Sequence, residues 1–293
     1  MTTQNWLFPI QHTSDAFFRA WGSDLSAKLA LVGLVQTADT GQIDWATAVR
    51  PTTGLPAYAG YEIWRYPDST VYMKWEFGTA VASACPSIRV SVGTGSNGSG
   101  TLTGPVTAAR SINTSVSALE SPGANRQSLM CYVDGYFSFS GYINSIVAGT
   151  ARTLFFFAVA PTVNANGVRT NEGVTLYYQQ ASANPAAIQA VNLLTSTVGA
   201  VSTTGEYALV PWGIASSISG TAAQAFVHWA VIPPVTVRPT MHMATVISSE
   251  FPLNTVFQTT LVGGVPRSYI ALDTTIYGTS TGTTTYKLAM LWE

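Results

Sequence analysis

Tyr61-Glu62-Ile63-Trp64-Arg65-Tyr66, then Pro67-Asp68-Ser69, then Thr70-Val71-Tyr72-Met73-Lys74-Trp75-Glu76-Phe77 is the stretch that decides the fold. Its first six residues alternate, placing Tyr61, Ile63 and Arg65 on one face of a strand and Glu62, Trp64 and Tyr66 on the other. Pro67-Asp68-Ser69 supplies turn chemistry, and residues 70–77 form the return strand. Ile88 to Val92 adds another strand. Beyond it the texture persists: short apolar runs separated by Gly, Asn, Pro and Thr clusters. Examples are Gly135 to Tyr142, Thr153 to Val159, Val174 to Gln179, Ala225 to Ile232, His242 to Ile247, Tyr269 to Asp273 and Thr284 to Leu291.

Upstream, one segment carries a helical period instead. Ser14 and Asp15 offer an N-cap, and Phe18, Trp21, Leu25, Leu29 and Val32 recur every three or four residues on one face. Asp24 and Lys28 stand in the favourable order for an ion pair, Gly22 weakens the middle, and Gly33 can end the helix. Such a helix packs on its own domain or docks on another subunit, and the sequence leaves both open. The expected class is therefore mainly β, an antiparallel β-sandwich or jelly-roll-like fold with one N-terminal amphipathic helix.

Charge is the unusual part of the composition. Of 293 residues only 9% are Asp, Glu, Lys or Arg, and 13 basic against 14 acidic side chains leave a net charge of −1; an average soluble protein is about 25% charged. Such a balance lacks the phosphate-gripping electrostatics of a nucleic-acid binder. The 47% hydrophobic share excludes disorder. Leu154 to Ala160 and Phe226 to Ile232 are the longest apolar stretches, far short of the roughly 20 residues of a membrane helix. Met1 to Asn5 has no basic n-region and no long apolar run follows it, so synthesis in a cytoplasm without cleavage is expected. The three lysines, Lys28, Lys74 and Lys287, cannot cover a surface. It must be hydroxyl- and amide-rich, as in a secreted β-protein, or be buried against neighbours, as in an obligate assembly; assembly is the preferred reading.

A soft boundary falls near Ser121-Pro122-Gly123-Ala124-Asn125. It divides residues 1–125, expected to be a particle-attachment region of helix plus small β-domain, from residues 126–293, expected to be a C-terminal β-sandwich. Neither part has a charged face, since the first carries seven basic and eight acidic residues and the second six of each. Cys85 and Cys131 have neither metal-ligand nor CxxC spacing, and two buried thiols are expected rather than a disulfide.

Several stretches invite a chemical reading and fail it. Gly93-Thr94-Gly95-Ser96-Asn97-Gly98 matches G-x-G-x-x-G, yet Ser99-Gly100-Thr101-Leu102-Thr103-Gly104-Pro105 cannot open the helix that a dinucleotide site needs. A Gly-rich hairpin is expected there, with no cofactor. His12, His228 and His242 lack metal-ligand spacing, so no metal is expected. No G-x-S-x-G elbow occurs. Glycoside hydrolysis needs two carboxylates close in space, but Glu62 with Glu76, or Asp134 with Glu172, would be arbitrary pairings. No catalytic residue is assigned, and an enzyme is not expected. Most of the aromatic residues, 11% of the chain, belong in a core; Tyr58, Tyr207, Trp212 and Tyr277 lie in turn-rich stretches where a ring could be exposed to a sugar.

The string Val35-Gln36-Thr37-Ala38-Asp39-Thr40-Gly41-Gln42-Ile43-Asp44-Trp45-Ala46-Thr47, followed by Ala59 to Tyr66, Lys74 to Gly78 and Ile88 to Gly95, is distinctive. With Phe17 to Gly22 before it, it resembles virion structural proteins of tailed bacteriophages, of the tail, baseplate and fibre kind. The resemblance covers about a third of the chain, residues 14–105, and the rest matches only in its Thr/Ser/Gly-rich β character. It implies a non-enzymatic structural protein of the virion tail apparatus with a role in host attachment. Its partners would be copies of itself as a homo-oligomer, other virion proteins and a host surface glycan. The alternatives are a capsid decoration or cement protein, and a carbohydrate-binding module or glycan-cleaving spike.

Overall fold

The computed structural model describes residues 3–9, 11–80, 85–104, 106–107, 109–113, 125–142, 154–163, 169–179, 189–192, 197–200, 207–209, 227–229, 240–241, 244–248, 252, 254–260, 266–272, 276–277 and 285–293. Among the described residues the protein is mainly β with one helix, as the alternating runs require. Strand β1 (Thr3–Pro9) leads into helix α1 (Asp15–Leu31), and then come β2 (Val35–Gln36), β3 (Ala57–Arg65), β4 (Tyr72–Thr79), β5 (Pro86–Gly93), the short β6 (Gly95–Ser96) and β7 (Leu102–Thr103), and β8 (Arg110–Asn113). Strands β2, β3, β4, β5 and β8 form an antiparallel five-stranded sheet in that order. The β3–β4 hairpin is the one that the Pro67-Asp68-Ser69 turn announces.

A second sheet joins the first strand to a run of strands from the middle of the chain. Strands β9 (Asn125–Val133), β10 (Tyr136–Tyr142), β11 (Leu154–Val163), β12 (Arg169–Gln179), β13 (Gln189–Asn192) and β14 (Thr197–Ala200) follow one another, and β1 joins them on the outer side of β9. Pairing Thr3 with Cys131 and Pro9 with Asn125 sews residues on both sides of the expected 125/126 boundary into one sheet. A three-stranded sheet of β15 (Tyr207–Leu209), β16 (Val227–Trp229) and β17 (Thr240–Met241) comes next. The last sheet runs β18 (Ala244–Ser248), β22 (Thr285–Leu291), β20 (Pro266–Ala271), β19 (Val256–Thr260), with β21 (Ile276–Tyr277) also on β22.

The helix forms where its caps allow. The Ser14 Oγ accepts from the Phe17 amide at 3.1 Å, satisfying one of the orphan donors of the first turn. At the other end Gly33, at φ +107°, takes the left-handed cap; its amide reaches the Ala30 carbonyl and that of Leu34 reaches Leu29. Phe18, Trp21, Leu25 and Leu29 are buried as their spacing demands. They pack inside the chain: Trp21 stacks on Trp6 of β1 and meets Phe77 of β4 edge-on. Lys28, expected beside Asp24, reaches Gln4 Oε1 on β1 instead.

The five- and seven-stranded sheets enclose a single core. Alternation puts Trp64, Met73, Trp75, Phe77, Ile88, Val90 and Val92 on its near side, and Met130, Tyr132, Phe137, Phe139, Phe155 and Phe157 on its far side. Trp75 meets Phe137, Phe139 and Phe157 edge-to-face, with ring centroids 5.5 to 6.3 Å apart. Two polar ties cross it: the Tyr66 hydroxyl donates to the Val159 carbonyl at 2.6 Å, and that of Tyr132 to Asp68 in the β3–β4 turn at 3.1 Å. The opposite side of the β9–β10 hairpin is covered by the C-terminal sheet, where Tyr269, Ala271 and Leu291 gather Val133, Tyr136 and Phe257. Arg267 fastens that contact by bridging Asp134 of the β9–β10 turn and Glu293.

Candidate functional site

Glu62 is the residue around which the N-terminal part is organised. It lies on β3 with its side chain inward, 1% exposed, on the face with Trp64 and Tyr66 that the alternation assigns to it. Three neutral donors converge on it from three segments. Ser26 Oγ of α1 donates to Oε1 at 2.6 Å, Trp45 Nε1 of the α1–β3 connection to Oε1 at 2.8 Å, and Trp64 Nε1 to Oε2 at 2.9 Å. Burial pushes the Glu62 carboxyl up from its ordinary value, and the bonds from Ser26, Trp45 and Trp64 offset part of that rise.

Gly22 makes the arrangement fit. A Cβ there would lie 1.9 Å from the Trp45 ring, so the indole rests directly on the helix backbone one turn before Ser26. The glycine that weakens the helix by propensity is thus the seat of the tryptophan that closes the site. His12, also buried, touches the same layer through Phe18 and Trp21, at centroid distances of 5.1 and 4.7 Å. Desolvation lowers its pKa to about 3, against the pull of the Gly78 carbonyl and with the Arg50 charge assisting.

The outer face of the same sheet is polar and laced together. Glu76 takes two bonds from Arg89, at 2.6 and 2.7 Å, with the Lys74 ammonium at 4.0 Å. Arg89 lies over the Tyr58 ring at 4.3 Å and Lys74 over the Tyr61 ring at 4.6 Å. The Tyr61 hydroxyl donates to the Thr40 carbonyl at 2.6 Å. Residues 37–43 strap this face, bonding Thr37 to Ile63 and Ile43 to Tyr61 along the backbone. The strap is held from above by the β6–β7 hairpin: Asp39 accepts from Ser96 Oγ and the Gly100 amide, and the Thr40 amide donates to the Gly98 carbonyl. Burial alone would raise Asp39, but the bonds from Ser96, Thr37 and Gly100 outweigh it and hold this carboxyl below its usual range.

The sequence candidates sort plainly on this frame. The Gly93–Gly98 stretch runs from β5 into a two-stranded hairpin and opens no helix, as expected of a turn. Glu62 and Glu76 lie in adjacent register positions of β3 and β4 but on opposite faces, so they cannot flank one sugar bond. Asp134 is engaged by Arg267, while Glu172 lies in β12. Tyr58 is half-buried, its hydroxyl 3.1 Å from Ser87 Oγ and 3.3 Å from Ser111 Oγ, with Arg89 on its ring. Tyr207, Tyr277 and His228 lie in β15, β21 and β16, and Trp212 and His242 lie outside the described residues. Cys85 and Cys131 are separate buried thiols. No group of three potential metal ligands occurs among the described residues.

Ser26, Trp45 and the fitting role of Gly22 escape sequence reasoning because they come from separate segments with no shared period. The one available signal was a charged residue on the apolar face of a strand, at Glu62. Compared with protein-family models, curated proteins and solved structures, the chain matches none.

Proposed function

We propose that this chain is a non-enzymatic structural component of a tailed phage particle, set in the tail apparatus as part of a fibre, baseplate or tail tip and acting in host attachment. The observation that carries the reading is how the sparse charge is used. Glu62, Glu76, Arg89, Asp39, Asp134 and Arg267 all bond within the chain, so part of an already sparse set of charges is engaged internally. The sequence string of residues 35–47 that resembles tail proteins forms the strap over the outer sheet face. Copies of the chain and other virion proteins are its partners in this reading, with a host surface glycan as the target of the tail.

The apolar face of α1 is used inside its own core. Attachment through the N-terminal region would therefore draw on exposed apolar residues such as Leu7, Leu31, Val35 and Val49, which are 58, 54, 37 and 64% exposed. Tyr58 and Tyr61 each carry a cation on the ring, which leaves this sheet face poorly suited to stacking on a sugar.

Immunogold electron microscopy of intact particles with an antibody to residues 126–293 tests the reading. Gold at the tail end is the expected result. Gold spread over the head would make the chain a decoration protein instead, and particles without label would overturn the virion assignment.

A further inference from the structure

Asn97 precedes Gly98 at the exposed tip of the β6–β7 hairpin, and its side chain is held in place. Its Oδ1 accepts from the Ser99 backbone amide at 2.9 Å and the Thr101 backbone amide at 3.1 Å, while the Asn97 backbone N–H donates to the Thr101 carbonyl at 3.0 Å. Gly98 sits at φ +80°, and a Cβ built there would meet nothing within 4 Å. The geometry points to Asn97–Gly98 as a self-modification site, at which the folded hairpin promotes deamidation of Asn97 to isoaspartate.

The step needs only water. The Gly98 amide nitrogen gives its proton to solvent base and attacks Cγ of Asn97; the new N–C bond closes a succinimide, and the side-chain nitrogen leaves as ammonia after taking a proton from water. Water then adds to one of the two imide carbonyls and opens the ring, giving isoaspartate or aspartate. Two features of the hairpin favour it. The negative charge that develops during attack falls on Oδ1, where two backbone donors already point. Gly98 presents no side chain to obstruct the nitrogen. The opposing contact is the long 3.3 Å bond from that nitrogen to Ser96 Oγ, which is weak at this distance.

The product has a structural consequence. Isoaspartate lengthens the main chain by one methylene and adds a carboxylate in a hairpin that grips Asp39 through Ser96 and Gly100, and Thr40 through Gly98. Like charge and altered backbone length both loosen the strap over the outer sheet face. This inference concerns the chain wherever it acts and does not rest on the particle reading.

The test incubates the intact chain at mildly alkaline pH, folded in one sample and unfolded in urea in another, and follows the peptide containing Asn97 by mass spectrometry able to separate isoaspartate. Expected is conversion several-fold faster in the folded sample, with isoaspartate predominating, and faster amide exchange at Thr40 and Gly100 in the aged protein. Conversion that is equal or slower in the folded sample overturns the proposal. A Gly98→Ala chain is expected to convert several-fold more slowly than the parent when both are unfolded, which confirms the nucleophile whether or not that variant folds; an unchanged rate there also overturns it.

Discussion

Two glutamates one register step apart meet opposite environments. Glu62 and Glu76 sit on neighbouring strands of one sheet, the first facing the core and the second facing outward. Glu76 has Arg89 in a bidentate pair and Lys74 beside it. Glu62 is enclosed by two indoles and a hydroxyl, all uncharged. The contrast shows that the inner carboxylate acts as a joint. Its acceptor oxygens collect donors from the helix, the connection and the strand, and a raised carboxyl pKa is the cost of holding it there. The outer one is a surface pair whose worth is small and screened by salt.

Perturbing the inner layer should produce the largest effects. His12 stays neutral down to about 3 in the folded protein, whereas the unfolded chain takes up its proton near 6.5. Stability is therefore flat above the ordinary histidine value and falls as pH drops through the interval, by up to about 5 kcal/mol. Urea unfolding across that range should show this acid limb in the parent and lose it in His12→Phe. Glu62→Ala, which strands the two indole donors and Ser26, should cost about 3 kcal/mol. Glu62 also carries a pH signature of opposite sign. Because its folded value is raised, its contribution is best in acid and is lost as pH rises, so the parent should gain stability over Glu62→Gln between neutrality and the ordinary glutamate value. Equal slopes for the two would mean that the carboxylate is not desolvated.

Gly22→Ala ranks next. In an ordinary helix this change stabilises, but here the new methyl meets the Trp45 ring at 1.9 Å, so a net loss of about 2 kcal/mol is expected by denaturant unfolding. On the outer face Glu76→Gln should change stability by less than about 1 kcal/mol, and less again in high salt. A cost there comparable to that at Glu62 would break the comparison.

What could be read from the sequence was local. The helix was legible because Ser14, Gly33 and the spacing from Phe18 to Leu29 all lie within one segment, and the β3–β4 hairpin because its turn and both strands are contiguous. The placement of Glu62, Trp64 and Tyr66 on one face also follows from alternation alone. Strand β1 was not legible: Thr3 to Pro9 finds its partner in β9, whose first residue was read as the end of a linker. Nor was the ring of donors around Glu62, since no rule of spacing links Ser26 to Trp45 and both to a strand beyond them. Long-range pairing leaves no periodic trace in the chain that forms it.

The β1–β9 seam also sets an order in time. A ribosome adds about 5–20 residues per second, so the strand that completes β1 is made on the order of ten seconds after it. Until then both edges of β1 lack the partner that the finished sheet gives it, and the far wall of the core, from Met130 to Phe157, is not yet made. A growing chain of this kind has every reason to engage a holding chaperone, because the first strand synthesised waits for a partner that begins only at Asn125.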